Sequence, residues 1–329
     1  MDDLVAQVSE KPSVGPVICV MGPTASGKTA LALALAHKFQ CELISVDSAQ
    51  VYRGMDIGTA KLSANELADS PHWLINIRDP WESYSAGDFC RDAVEAILDI
   101  RSRGRMPLLV GGTMLYFRML QDGLAELPGP DMSLRAELDA RAEKEGWAKL
   151  HEELADLDPQ SAERLQPTDR QRIQRALEIC LLSGEPASEL QRNTQTAIRA
   201  DYLNIGLIPK ARDVLHARIA ERLMQMRQDG FMSEIRALAA KSQMYREVPA
   251  MRAVGYRQLW SCLEGEYTED EAFEKALVAT RRLAKRQLTW LRSWPDLMEI
   301  DTSVDAPGER AVHIVSEWLD SRATSDRNS

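Results

Sequence analysis

The apolar positions of the chain fall into short runs separated by longer stretches of mixed character. Pro16-Val17-Ile18-Cys19-Val20-Met21 is a run of the kind that forms a buried parallel strand, and a glycine-rich turn follows at once. From Thr29 to Phe39 the pattern is double-edged: Leu31, Leu33 and Leu35 alternate as in a strand, yet alanine, the best helix former, fills the gaps. We read a buried helix. Glu42–Val46, Trp73–Ile77, Pro107–Val110 and Tyr202–Ile208 are further strand-like runs, with helical patterns between several of them. That rhythm predicts an α/β fold built on a doubly wound parallel sheet flanked by helices.

Between Gln121 and Arg199 the rhythm stops. Charged, leucine-spaced segments are punctuated by Pro128, Pro130, Pro159, Pro167 and Pro186, and none of them reads as a strand. This predicts a helical insertion over residues 121–199 within a core of residues 16–120 and 200–319. Inside the insertion, Thr168 with Gln171 fits a capping box, and Ile173, Ala176, Leu177, Cys180 and Leu181 form one apolar stripe of the following helix. Gln171, Gln174 and Arg175 are then expected to face outward. After Tyr202 the pattern predicts one helix from near Asp213 to Gly230 and another from Glu271 to Leu291. Residues 1–15 and 320–329 are polar and are expected to be disordered.

Composition narrows the class. With 329 residues, 44% apolar and 27% charged, the chain suits a folded soluble protein of about two domains and neither a miniprotein nor a disordered chain. The longest apolar stretch, Thr29 to Ala36, is far short of the ~20 residues that cross a bilayer, and the chain does not open on a basic-then-apolar signal. A cytoplasmic protein without membrane contact is the expectation. Cys19, Cys41, Cys90, Cys180 and Cys262 are widely spread without a C-x-x-C pair, which suggests reduced, mostly buried thiols. The net charge of -10 repels phosphate polymers at long range, so a nucleic-acid partner needs a local basic surface.

Gly22-Pro23-Thr24-Ala25-Ser26-Gly27-Lys28-Thr29 matches G-x-x-x-x-G-K-[ST] and lies between a predicted strand and a predicted helix. There, backbone N–H groups of the loop and the helix N-terminus can surround a di- or triphosphate, Lys28 can neutralise phosphate oxygens and Thr29 can hold Mg²⁺. The loop alone leaves open whether the phosphates belong to ATP or to another pyrophosphate ester. Leu43-Ile44-Ser45-Val46 ends in Asp47, so this acid emerges at the carboxyl edge of the sheet, where it can act as a base or approach the metal. The other central run, Leu108-Leu109-Val110, ends in Gly111-Gly112-Thr113, which lacks the second carboxylate usual in an ATPase and weakens a hydrolase reading.

The segment Asp47 to Lys61 is dense in polar residues and glycine directly after a strand, as a substrate-contacting loop is. Together with Gly22–Thr29, Gly111-Gly112-Thr113-Met114-Leu115-Tyr116, Gln171-Arg172-Ile173-Gln174-Arg175 and Arg252-Ala253-Val254-Gly255-Tyr256-Arg257, it resembles the bacterial tRNA dimethylallyltransferase (isopentenyl-tRNA transferase) family. The resemblance runs from Pro16 to Arg292 in the family's order; Leu62 departs from the proline usual there.

The resemblance implies a P-loop NTPase-like core and transfer of a dimethylallyl group from dimethylallyl pyrophosphate to N6 of adenosine 37 in tRNAs reading codons that begin with U. The phosphate loop would then hold the pyrophosphate leaving group, with Mg²⁺ on Thr29 and without ATP. An adenine amine becomes strongly acidic only as its new C–N bond forms, and Asp47 is the carboxylate placed to take that proton. Thr113 matches the position that helps place the amine and the isoprenoid pyrophosphate; Arg222, and less clearly Arg218, match positions near the pyrophosphate. The base must leave its stack to react. Asp47, Ser48, Ala49, Gln50 and Thr113 match contacts to it and its neighbours, the Gln171–Arg175 run matches contacts to the anticodon stem-loop and Arg135 a further RNA contact, while the Arg252–Arg257 run is read as contacting the RNA backbone through Arg252 and Arg257. A tRNA-clamping monomer is the simplest assembly.

Arg281, Arg282, Lys285, Arg286 and Arg292 answer the electrostatic objection. They are five cations without an acid between Ala279 and Trp294, on one flank beside an apolar stripe of Phe273, Leu277, Thr280, Ala284, Leu288 and Leu291. Two rivals stand beside this reading: an ATP-dependent small-molecule kinase with Asp47 as base, and a non-catalytic RNA-binding protein using the loop as a nucleotide switch. The kinase leaves the basic flank and the Gln/Arg helix without a role.

Overall fold

The structure, a computed structural model, describes residues 13–303 and 307–326. Val17 to Met21 are buried on both faces, as a central parallel strand requires. They belong to β1 (Ser13–Met21), which opens a sheet completed by β2 (Cys41–Val46), β3 (His72–Trp73), β4 (Met106–Gly111), β7 (Arg199–Leu207) and β8 (Met298–Ile300). Among the described residues these strands lie in the order β3-β2-β4-β1-β7-β8, every pair parallel. The doubly wound α/β reading holds. The register aligns Met21 and Val46 with Gly111, so β1, β4 and β2 all end at one edge.

The first helix, α1 (Lys28–Phe39), buries Leu31, Ala32 and Leu35 against the sheet; alanine propensity prevails there over strand-like alternation. Then follow α2 (Ala64–Asp69), α3 (Ala86–Ser102) and α4 (Met114–Asp122), and after β7 come α10 (Arg212–Gln228), α11 (Phe231–Ala239), α12 (Tyr256–Leu263), α13 (Glu269–Arg292) and α14 (Pro307–Asp326). A second apolar core gathers Val51, Tyr52 and Met55 with Phe231, Ile235, Tyr256, Leu259 and Phe273, so the loop after β2 is folded onto α11, α12 and α13.

The described residues divide into two compact units, one made of those up to Met119 with those from Ile198 on, the other of Leu120–Ala197. In the second, α5 (Met132–Glu145), α6 (Trp147–Leu157), α7 (Pro159–Arg164), α8 (Arg170–Ser183) and α9 (Ala187–Leu190) pack around Leu138, Leu150, Leu154, Ile173 and Leu177. Its ends are joined by an antiparallel pair, β5 (Leu124–Ala125) with β6 (Thr194–Gln195), too short for any periodic signal.

Several local expectations are corrected. Trp73–Ile77 is not a strand beyond its first residue: Leu74 (φ 66°) and Asn76 (φ 57°) take left-handed backbone, which ends the pleat, and the Asn76 and Ile77 N–H groups turn instead to the carbonyls of Gln50 and Val51. Asp169, not Thr168, caps α8, because the helix starts one residue later and its third amide is that of Arg172. Leu181 stands exposed rather than in the stripe. Residues 13–15 begin β1, and α14 continues to Asp326 through most of the stretch expected to be disordered; residues 1–12 and 327–329 lie outside the described residues.

Candidate active site

The loop after β1 turns tightly because two of its residues adopt left-handed backbone, Ala25 (φ 62°) and Gly27 (φ 86°), and Gly27 is the N-cap of α1. Such alternation directs successive amides inward, and the first-turn amides of α1 have no carbonyl of their own helix to meet. The Gly22 N–H donates to the Gly111 carbonyl at 3.3 Å and the Ser26 N–H to the Pro23 carbonyl at 3.3 Å, closing the loop. Ser26 Oγ is buried without a partner. Lys28 Nζ reaches back to the Pro23 carbonyl at 3.3 Å. Burial, and then the charge of Arg222, push the Lys28 ammonium down to about 8, with Asp47 pulling the other way. Arg222 on α10 is likewise held below its ordinary value by burial, with Asp47 opposing. These three charges share one place. Arg218 donates to the Thr302 carbonyl at 3.1 Å.

Asp47 stands at the end of β2 and accepts the N–H groups of Ala49 (2.8 Å) and Gln50 (3.2 Å), which fixes its carboxylate over the turn it begins. The Thr113 N–H bonds the Val46 carbonyl at 3.2 Å, and its hydroxyl accepts the Ser48 N–H at 3.1 Å, so the end of β4 is tied to the Asp47 turn. Gln50 accepts from Ser45 Oγ at 3.0 Å and donates to the Thr59 carbonyl at 3.3 Å. Phosphate loop, Asp47 and Thr113 thus emerge from three successive strands of one sheet edge, with Arg222 beside them.

Two polar residues that sequence reasoning missed hold this arrangement. Glu234 of α11 accepts the N–H groups of Asp56 (2.8 Å), Ile57 (2.7 Å) and Gly58 (3.2 Å) and the Tyr256 hydroxyl (2.5 Å). Gln287 of α13 accepts the Thr24 N–H. Neither carries a local motif, and their partners lie far off in sequence. Lys61 completes the loop: its buried Nζ donates to the Tyr52 carbonyl, Asp56 Oδ1 and Asn76 Oδ1, each at 2.7 Å.

Of the run Arg252–Arg257, Arg252 and Arg257 are exposed, Ala253 and Val254 are half-buried, and Gly255 and Tyr256 are buried, the tyrosine beneath the loop it helps to hold. Arg257 and Arg282 line one cleft of about 550 Å³, together with Lys275 and Arg246. Arg246 is already engaged by Glu264 and Glu266. Arg282, Lys285, Arg286 and Arg292 are exposed on α13, and Arg281 is half-buried.

In the second unit the outward face expected of α8 is corrected. Gln171 and Arg172 are exposed and Ile173 is buried, but Gln174 donates to the Arg135 carbonyl (3.2 Å) and to Asp139 (2.7 Å). Arg175 bonds Glu178 and the Pro128 carbonyl, and Arg135 forms a two-pronged pair with Glu178 at 2.7 and 2.9 Å. Glu178 is fully buried. Burial alone would raise its carboxyl, but bonds from Arg135, Arg175 and the Asp131 N–H hold it down at about 2. Four of the cysteines are buried and none of the five is in a disulfide.

The family model described as IPP transferase matches residues 50–294. A tRNA dimethylallyltransferase of Bordetella petrii is 52% identical over 310 residues, which is 93% of this chain and 99% of the relative. Among solved structures, the tRNA isopentenylpyrophosphate transferase of Bacillus halodurans is similar at 36% identity and a TM-score of 0.69, over 95% of this chain and 99% of that one. A eukaryotic dimethylallyltransferase caught acting on tRNA is similar at 27% identity and a TM-score of 0.78, over 94% of this chain and 80% of that one. Among the described residues no helix is long and apolar enough to cross a membrane.

Proposed function

The chain belongs to the IPP transferase family, and from that membership we propose that it transfers a dimethylallyl group from dimethylallyl pyrophosphate to N6 of adenosine 37 in tRNAs reading codons that begin with U. Transfer of a dimethylallyl group to tRNA is the activity of the family, and the enzyme is a prenyltransferase. The finer reading is carried by one observation: a phosphate loop with its lysine, a carboxylate and a hydroxyl lie together on three successive strand ends.

In this reading Lys28, Arg222 and, within the Gly22–Thr29 loop, the amides of Ala25, Gly27, Lys28 and Thr29 bind the pyrophosphate group and stabilise the negative charge that grows on it as the C1–O bond breaks. Pyrophosphate leaves with the electron pair of that bond, and the N6 lone pair forms the new bond to C1. Asp47 accepts the N6 proton as the amine becomes cationic, and Thr113 orients the amine against the breaking bond. The Thr29 hydroxyl and the unpartnered Ser26 Oγ are hard oxygen donors, and the described residues hold no cluster of three or more acids, histidines or cysteines. That donor set suits Mg²⁺ carried in largely on substrate oxygens and water, where it would neutralise leaving-group charge.

The RNA partner is the anticodon stem-loop. Ser48, Ala49 and Gln50 meet the flipped base and its neighbours, and Arg252, Arg257, Arg282, Lys285 and Arg286 bind backbone phosphates on a chain that is otherwise acidic. In the second unit the exposed Gln171 and Arg172, the latter paired with Asp169 at 3.3 Å, are the groups of the α8 run that reach RNA; Arg135 and Arg175 act through Glu178, tying the start of α5 to the middle of α8. The enzyme works as a cytoplasmic monomer.

The test is one incubation with Mg²⁺, radiolabelled dimethylallyl pyrophosphate and unmodified tRNA, beside a twin containing γ-labelled ATP and a metabolite mixture. Label in adenosine 37 without ATP is the expected result. Phosphate transfer in the twin with unlabelled tRNA would overturn the reading in favour of a kinase.

A further inference from the structure

Helix α13 presents mostly apolar groups to the protein interior, but one buried side chain on it is polar: Gln287, 9% exposed, beside Ala284, Leu288 and Leu291. Its carboxamide makes two bonds to backbone remote in sequence. Oε1 accepts the Thr24 N–H of the phosphate loop at 3.0 Å, across 263 residues, and Nε2 donates to the Gly112 carbonyl at 2.8 Å. Chemistry sets the orientation of the amide, because an N–H needs an acceptor and a carbonyl needs a donor, and a carboxamide offers one of each. The fit is close: a Cβ on Gly112 would lie 2.4 Å from Gln287 Nε2. One side chain therefore bridges the loop after β1 and the turn after β4 that carries Thr113. The Gly22 N–H to Gly111 carbonyl bond joins the same two segments at their base, so the amide acts as the outer of two ties.

We propose that Gln287 is a positioning residue for the transfer reaction, setting the phosphate loop against the Gly112–Thr113 turn and so the leaving group against the incoming amine. The inference rests on the roles given above to the loop and Thr113. Loss of the amide leaves the Thr24 N–H without its acceptor, so the loop and the turn can drift apart, and small errors of placement weigh heavily on a displacement reaction.

Two variants test it. Q287M keeps length and volume but removes both bonds; Q287E keeps the acceptor, loses the donor and sets a negative charge beside the loop. Melting temperature, tRNA Kd, the calorimetric Kd of inorganic pyrophosphate and the KM and kcat for dimethylallyl pyrophosphate are measured for each. Both variants are expected to bind tRNA within about twofold of the parent, while the pyrophosphate Kd rises ~10-fold and kcat/KM falls ~10- to 100-fold, more for Q287E. Folded variants with pyrophosphate Kd and kcat within about twofold of the parent overturn the proposal, as does loss of folding in both, which would make the amide a structural tie only. A parent protein that binds pyrophosphate but leaves tRNA unmodified overturns the proposed function instead, since the Kd is read without transfer.

Discussion

Glu234 is the residue whose removal should report most directly on how the loop from Asp47 to Lys61 is held. Its carboxylate gathers three consecutive amides, of Asp56, Ile57 and Gly58, and the hydroxyl of the fully buried Tyr256. In Glu234→Ala, water can reach the amides, which lie in a partly exposed segment, so each loses about 0.5 kcal/mol; the tyrosine hydroxyl is left without an acceptor at about 1–2 kcal/mol. The expected loss is about 3 kcal/mol, which for a unit of this size lowers the melting temperature by about 6 °C or more. Tyr256→Phe removes one partner and leaves the carboxylate its amides, so it should cost about 1 kcal/mol, and the double variant should lose about 1 kcal/mol less than the two single losses added together. Urea unfolding of the four proteins gives the cycle. Because the loop carries Ser48, Ala49 and Gln50, the KM for tRNA should rise about 5-fold in Glu234→Ala, near 1 kcal/mol, with the KM for dimethylallyl pyrophosphate unchanged. A loss under 1 kcal/mol, or strict additivity with Tyr256→Phe, would refute the role of Glu234 as the loop's anchor.

Three further outcomes follow from the site. Asp47→Ala should lose transfer by about 10²–10⁴-fold, the usual reach of a positioned base, while filter-binding still detects tRNA; an active variant would remove Asp47 from that role. Arg282 and Arg286 changed together to Glu should weaken tRNA binding and flatten the plot of log affinity against log salt by about 1–2 units, with the pyrophosphate Ki unmoved; an unaltered slope would place the phosphate contacts elsewhere. Lys28 titrates near 8 in the free protein, because burial and Arg222 press it down, and bound pyrophosphate must raise it. Affinity for dimethylallyl pyrophosphate is therefore complete below about pH 8 and falls as pH rises above it, and calorimetry in buffers of different ionisation heat should show proton uptake on binding above that pH. Affinity that is flat from pH 7 to 9.5 would contradict the assignment of Lys28 to the pyrophosphate.

The parts of the site carried by contiguous residues were legible in the chain itself. The phosphate loop is a run of glycine, lysine and threonine whose function depends on its own backbone, and Asp47 follows a strand whose apolar run ends where the acid begins, so both could be placed before any fold was seen. The strands β1, β2, β4 and β7 were legible for the same reason, since a strand buried on both faces writes a continuous apolar run. The three residues of β8 and the two each of β5 and β6 are too short to leave such a mark.

What a helix faces is a different kind of fact. Periodicity separated the apolar side of α8 from its polar side, but it could not say that the buried Glu178 would draw Arg175 and Arg135 inward, or that Gln174 would be taken by Arg135 and Asp139. Nor could it mark Tyr256 as the hydroxyl that meets Glu234, or Gln287 as the amide that spans two loops. Arg175 and Glu178 are neighbours on one helix, but each of the other bonds is to a group brought near only when the chain folds. Sequence alone determined which backbone has the form of a phosphate loop and which acid ends the neighbouring apolar run. Tertiary structure decided which polar side chains are spent on holding the protein together and which remain exposed, because a buried polar group must find its partner inside the fold and an exposed one need not.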